Sequence, residues 1–577
     1  MKKNIIGLGI IVVLMILLFS YKQLVKENVV DNDDHISYLI DGEVSNSIPN
    51  VSDLNKYTIE VNCTNEVTGY WDKITNTLKL SNITSTSQFK CNVLFMKDTT
   101  YLVYSPSPET NEKEREPAYF LGKILSSKVQ SIEFLTSKTV PNDALGSFDV
   151  SSNNSGEIMA WYYDKDSNGL YEVYVGQDGG VKANSDSSNL FQSLINVKSL
   201  SLNNLDTSNV TNMSRMFSES SSIESIDLSN INTINVTNMA SMFNYCSSLT
   251  SLDLSRFDTS NVTDMSSMFY ATPLGTLNVS NLDTKNVRNM SYMFAQTYML
   301  SSIDISSLNT QNVRDMSNMF MYSGITSINL TNLDTSKVEN MSGMFALSEI
   351  SSIVINDSNT KSVTNMSYMF SNCSKLTNVD FLNNMNTSNV TTMSGMFQAN
   401  KNLVSFNITN FDTSKVEDMS FMFSLCSKLT SLNLTTFNTA NVTTMTSMFA
   451  NCTGLKNIDV STWNTTKVID MGEMFYYCSS LTVLDLSSFV TPVLEIMFNN
   501  KIYDVYYDNG AFFNCTSLTH LYIQNMTFDS ITLIGRTFRS LGANTIIYVK
   551  DSTQATKVAG WNNNVNTIVD CSSNACP

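Results

Sequence analysis

The chain has 577 residues, a hydrophobic fraction of 42% and 35 Lys and Arg against 52 Asp and Glu, a formal net charge of −17. That balance speaks against nucleic acid as a partner, because phosphate recognition needs clustered cations, and the apolar content speaks against global disorder. Only two histidines are present, His35 and His520, far apart in sequence, which leaves little room for acid–base or zinc chemistry.

The N-terminus reads MKK and then IIGLGIIVVLMILLFSY, a mostly apolar run near the lower limit for spanning a bilayer. LLFSYKQL carries no small-residue cleavage site. Lys2 and Lys3 favour a cytoplasmic start, and DNDD at 31–34 follows on the far side. Residues 1–21 are therefore expected to be an uncleaved signal anchor, with 22–52 a linker and the rest outside the cell. Runs YTIEVNC (57–63), TLKLSNIT (77–84) and FKCNVLF (89–95) alternate like strands, predicting a small β-rich stalk module over 53–150. In an exported chain Cys63 with Cys91, and Cys571 with Cys576 in the C-terminal tail (551–577), are candidate disulfides.

A solenoid is expected over 196–550. FDTSNVTDMSSMF (257–269) returns as LDTSKVENMSGMF (333–345), FDTSKVEDMSFMF (411–423) and WNTTKVIDMGEMF (463–475). Clean copies end at Phe217, Phe243, Phe269, Phe294, Phe320, Phe345, Phe370, Phe397, Phe423, Phe449 and Phe475. The same step reaches Phe191 and, beyond an insertion near 495–508, Phe512 and Phe538. About fourteen units of ~26 residues describe one α/β repeat solenoid of leucine-rich-repeat type. Each unit is expected to hold a short strand (Leu252-x-Leu254) and a short helical limb, because Val262, Met265, Met268 and Phe269 fall at i, i+3, i+6 and i+7.

The slots differ in what they demand. The position of Asp258 is Asp or Asn in every clean copy and the next is always Thr, which reads as the turn and cap opening the limb; a calcium ladder is the alternative. Met-x-x-Met is a possible copper(I) spacing, yet Val and Phe share its face, so the methionines are read as core. Cys246, Cys373, Cys426, Cys452, Cys478 and Cys515 share a slot with Ser220, Thr272, Thr297, Ser323, Ser348 and Asn400, and read as buried thiols in a site that wants a small side chain.

The units NVTDMSSMF and CSSLTSLDLS, with the later AFFNCTSLTHLYI (511–523), resemble the repeats of BspA-like leucine-rich-repeat surface proteins of bacteria and some protozoa. The segment 159–191 looks like the unit that precedes such arrays, so 151–195 is expected to be an entry or capping unit. The resemblance covers about 155–550 and implies a surface-exposed solenoid, with some members acting as adhesins for matrix or host-cell components. It implies no catalytic residue, cofactor or metal. The tail carries no LPxTG-type sorting signal, so retention is expected to rest on the N-terminal anchor.

Two candidate contact regions follow. The middle outward slot of the strands holds Asp227, Asp253, Asn278, Asp304, Asn329, Asp380, Asn407, Asn433, Asp459 and Asp485, flanked by Ser and Thr. This row is either a face for a glycan or a basic protein patch, or simply a soluble surface. The insertion carries Tyr503, Tyr506 and Tyr507, which either meet a partner or pack back on the array. The expected function is a cell-surface adhesion or binding protein for host extracellular-matrix proteins, glycans or other cells. The alternative is a coat or spacer without a ligand, and no enzymatic activity is expected.

Overall fold

The computed structural model describes strand residues within 35–97, residues 102 and 121, and from 124 onward all but 356–358, 405–407, 500–508, 532–536, 562–566, 573–575 and 577. The chain divides into two compact units between Tyr101 and Leu102. The expected anchor at 1–21 lies outside the described residues. Among those described, no helix is long and apolar enough to cross a membrane.

The first unit contains β1 (His35–Asp41), β2 (Tyr57–Cys63), β3 (Thr68–Asp72), β4 (Thr77–Ser81) and β5 (Lys90–Lys97). β5 lies between β1 and β2 in an antiparallel sheet, and β3 pairs with β4. β1 falls in the stretch expected to be a linker. The β2–β5 register sets Cys63 opposite Cys91. Directly opposed antiparallel residues have Cα atoms about 4.5–5.5 Å apart, within disulfide reach.

The second unit opens with β6 (Val129–Leu135), β7 (Gly146–Asp149), β8 (Ile158–Tyr163) and β9 (Tyr171–Gln177), in the order β6-β9-β8-β7. This sheet crosses the 150/151 boundary expected between stalk and capping unit. The reason is pairing: β6 runs parallel to β9, so 129–135 cannot be separated from 171–177. Leu102 N–H also donates to Lys182 C=O at 2.8 Å. The sheet caps the array physically, with Phe134 edge-on to Phe191 at 6.0 Å.

From Phe191 a spine of rings runs through every clean copy to Phe475 and on to Phe512 and Phe538. Neighbouring rings from Phe191 to Phe512 stack with centroids 5.3–6.2 Å apart and planes within 16°. Phe512 and Phe538 follow at 5.7 Å and 37°. The Val and two Met of each clean copy are buried beside it, so the thioethers fill gaps around the stack.

The expected helical limb is a ribbon of β-turns. Met268 N–H bonds Met265 C=O, Tyr270 bonds Ser267 and Thr272 bonds Phe269. Ser267 and Ala271 have φ of 54°, the sign a type II turn requires at its third residue. Each such turn brings its first and last residue, as with Met265 and Met268, to one face much as a helical turn does, which is why the apolar spacing resembles a helix. The backbone differs because alternate N–H groups leave the segment: Met265, Ser267, Phe269 and Ala271 donate to Asn289, Ser291, Met293 and Ala295 C=O of the next coil. Ser, Thr and Asn, poor helix formers, fit this alternative. Left-handed non-glycine residues cost about 1–2 kcal/mol each, which these inter-coil bonds offset.

The strand side is less regular than the alternation predicted. Parallel pairs form between β10 (Val181–Lys182) and β12 (Leu205–Asp206), β11 (Ser199–Ser201) and β13 (Ser225–Asp227), and β14 (Ser327–Asn329) and β15 (Ser352–Val354). Near the C-terminus β16 (Val483–Asp485), β19 (His520–Tyr522), β20 (Ile546–Val549) and β21 (Thr567–Asp570) form one parallel sheet. The hairpin of β17 (Phe498–Asn499) and β18 (Asn509–Gly510) brackets the insertion, and helix α1 (Ser552–Trp561) joins β20 to β21. Bridges at one slot run parallel from Asp186 through Asn212, Asp264 and Asp315 to Ile496, just before each ribbon.

Candidate interaction surface

The regular coils place an Asx turn at three corners, as the coil around Asp258 shows. At the end of the strand segment Asp253 Oδ1 accepts Ser255 N–H at 2.9 Å; at the next corner Asp258 Oδ1 accepts Ser260 N–H at 3.0 Å; before the ribbon Asp264 Oδ1 accepts Ser266 N–H at 2.8 Å. The oxygen common to Asp and Asn is what the turn uses, which explains their interchange in the sequence. The invariant Thr is a relay between most coils, Thr335 Oγ1 being buried without a partner. Thr233 Oγ1 donates to Asp258 C=O and accepts Asp258 N–H, both at 2.8 Å, and Thr207 and Thr413 do the same for Asn232 and Asn438.

In most copies the small slot supplies a donor as well as small size. Cys246, Cys426, Cys452, Cys478 and Cys515 thiols donate to the C=O of Phe217, Phe397, Phe423, Phe449 and Phe475 at 3.1–3.2 Å. Ser220 and Asn400 make the same bond to Phe191 and Phe370 at 2.7 Å. All six thiols are free and buried. Burial pushes Cys246, Cys373, Cys426 and Cys515 up to about 12, so they remain protonated donors.

With the consensus polar groups committed to turns and relays, the outward strand row is the first candidate surface. Asp227, Asp253, Asn278, Asp304, Asn329, Asn433, Asp459 and Asp485 are exposed. Each accepts the N–H two residues ahead at 2.9–3.2 Å. The hydroxyls of Ser229, Ser306 and Ser461, then their N–H groups, hold Asp227, Asp304 and Asp459 below the usual carboxylate range; at Asp253 the Ser255 N–H leads. These acids stay charged at neutral pH with one oxygen taken by the turn. Asp380 departs from the row: it opens a short 3₁₀ turn, Asp380–Asn384, and its N–H donates to Asn378 Oδ1 at 2.6 Å. Asn407, and the loop residues Tyr503, Tyr506 and Tyr507, lie outside the described residues. Cys571 and Cys576 form a disulfide directly after β21.

Two aromatic groups escaped the sequence reading. The outward strand slot continues as Tyr522 and Tyr548, whose rings stack at 4.4 Å with His520 at 6.1–6.2 Å. Leu521-Tyr522-Ile523 and Ile547-Tyr548-Val549 carried that signal in their alternation. On the ribbon side Tyr245, Tyr322 and Tyr368 are exposed, and Tyr270 meets Tyr245 and Tyr292 edge-on at 5.2 and 6.1 Å. Helical spacing over that segment marks only its buried side. Among the described residues no group of three or more His, Cys, Asp or Glu is placed to hold a metal ion.

Ribbon, ring spine and Asx corners together define a repeat solenoid. A family described as "Mycoplasma protein of unknown function, DUF285" matches residues 185–300, 250–351, 274–382, 348–431 and 402–504, together spanning more than half of the 577 residues. The chain belongs to this family. No curated protein matches the chain. Among solved structures it is similar to the functional domain of InlJ from Listeria monocytogenes, described as including a cysteine ladder, at 16% identity over 62% of this chain and 70% of that one with a TM-score of 0.26. It is similar too to the pneumococcal vaccine antigen PcpA, at 12% identity over 77% and 89% with a TM-score of 0.23. Both are distant similarities.

Proposed function

We propose that the protein is a cell-surface binding protein of BspA-like type, held at the membrane by residues 1–21, whose array meets matrix proteins, glycans or other cells. The observation that supports this is the division of labour within a coil. Consensus side chains are spent on turns, relays and core, while the strand row holds carboxylates at Asp227, Asp253 and Asp304 toward one end and at Asp459 and Asp485 toward the other. A row of fixed acids with hydroxyl neighbours suits a basic protein patch, which would find several carboxylates at once. The purified full chain should bind immobilised matrix proteins, with affinity falling as salt rises and falling again in the combined Asp227→Asn, Asp253→Asn and Asp304→Asn variant. Asn keeps each turn and removes only charge. Failure to bind any matrix protein, glycan or cell would sink the reading.

The alternative, a coat or spacer without a ligand, is favoured by one observation: every row residue with a resolved turn uses its side-chain oxygen to close its own Asx turn. In that case the row is scaffold, and deleting two internal coils would leave adhesion of cells unchanged.

A further inference from the structure

Nine consecutive ribbons, from 240–245 to 446–451, contain no Asp, Glu, Lys, Arg or His, in a chain that is 15% charged. Charges flank the strip, as with Glu339 before one ribbon and Lys401 after another, but none lies on it. Rings and apolar side chains stand there instead: Tyr322 is 52% exposed, Tyr245 47% and Tyr368 40%. Tyr368 lies across the next coil. A Cβ on Gly395 would meet its Cε1, Cδ1 and Cζ at 2.3, 2.4 and 3.1 Å. The glycine backbone therefore closes one face of the ring and, at this exposure, the other face looks to solvent. Amide side chains lie on the adjoining ribbon positions, among them half-buried Asn372 and Gln398.

We propose that this strip is a second binding surface, on a different side from the acidic strand row, and that its ligand is a neutral glycan. A pyranose has an apolar C–H face that stacks on an open aromatic ring and a rim of hydroxyls that pair with amides and hydroxyls. Tyr368 supplies the open ring, Tyr322 and Tyr245 supply further rings toward the N-terminus, and Asn372 and Gln398 supply the amides. Tyrosines present such area at low cost in side-chain entropy. A charged ligand finds no counter-charge on the strip. A second copy of the chain would bring another net charge of −17 against the first, which opposes self-association at low salt.

The test is binding of the purified full chain to an array of neutral, sialylated and sulphated glycans. Neutral glycans should be retained, with affinity changing by less than about twofold between low and high salt, since no ion pair is screened. Tyr368→Ala combined with Tyr322→Ala should weaken binding at least about tenfold while Tyr368→Phe keeps it, because the ring face and not the hydroxyl stacks. Tyr322→Ser alone, at the most exposed ring, reads the same contact should the double variant unfold. The Asp-to-Asn variants of the strand row should bind these glycans as the parent does, so loss of matrix binding leaves this surface untouched and the two proposals fail separately. Binding confined to sulphated glycans, no neutral glycan retained, tyrosine variants that bind like the parent, or tyrosine-dependent self-association would each overturn the proposal.

Discussion

On the ribbon side, Met265, Ser267, Phe269 and Ala271 each pass an N–H to the next coil, and the Phe269 ring stacks between Phe243 and Phe294 at 5.9 and 5.7 Å. On the strand side of the neighbouring coils, the segments around Asp253 and Asn278 are joined by the Gly275 N–H to Thr250 C=O bond at 3.1 Å. The leucine-rich-repeat pattern of the sequence implies a parallel sheet covered by other limbs. Here the limb carries the regular backbone ladder, and the sheet is continuous only near the C-terminus. In a stack where each coil touches its neighbours alone, stability follows the coil–coil interface, so the ribbon side governs it.

Substitutions can break that asymmetry. Phe320 is fully buried and stacked on Phe294 and Phe345 at 5.4 and 5.6 Å. Phe320→Ala should cost about 3–5 kcal/mol in chemical denaturation, and would split the array's transition into two if the spine is what couples coils. Thr413, at the corner, comes next. Thr413→Val keeps shape and buries Asn438 N–H and C=O without their partner, a loss of about 2–4 kcal/mol, whereas Thr413→Ser should recover most of it. On the strand side Asn329→Ala loses one turn bond at an exposed site and should cost no more than about 1 kcal/mol. A cost for Asn329→Ala matching that for Phe320→Ala would show that the strand side holds the array after all.

The period, the buried set and the turn role of Asp258 and its equivalents were readable because each follows from side-chain chemistry repeated many times. Val262, Met265, Met268 and Phe269 are buried as their spacing demanded. The ribbon was not readable, since a β-turn and a helical turn both bring residues three apart to the inner face, and the choice lies in where N–H groups go. Left-handed residues are normally betrayed by Gly or Asn, but here Ser267, Tyr292, Phe421 and Glu473 occupy such positions beside Gly343 and Gly395. The domain boundary was hidden for a similar reason: nothing local in 129–135 announces that its partner is 171–177. Of the candidate surfaces, the acidic row was legible from alternation, while its Asx-turn bonds, and the open face of Tyr368, depend on the path of the backbone.

The finest test of the corner chemistry uses the bridge slot, where Asp and Asn both occur. Burial raises the pKa of Asp470, against the pull of the Gly472 N–H on its carboxylate at 2.7 Å. A carboxyl whose folded pKa exceeds its unfolded value binds more protons when folded, so its contribution to stability falls as pH rises through that window. Exposed Asp253 and Asp304, with lowered values, have the opposite sign: their contribution is present above the unfolded carboxylate range and is lost as pH falls through their folded values. Asn fills the same slot at Asn238, Asn289, Asn340 and Asn365, accepting the equivalent N–H at 2.9–3.1 Å. Asp470→Asn should therefore raise the midpoint of denaturation at pH 7 and lose that advantage in acid, where the parent carboxyl is neutral. Equal midpoints at pH 7 would mean that water reaches Asp470, and that the bridge slot is less closed than its neighbours on the ribbon side.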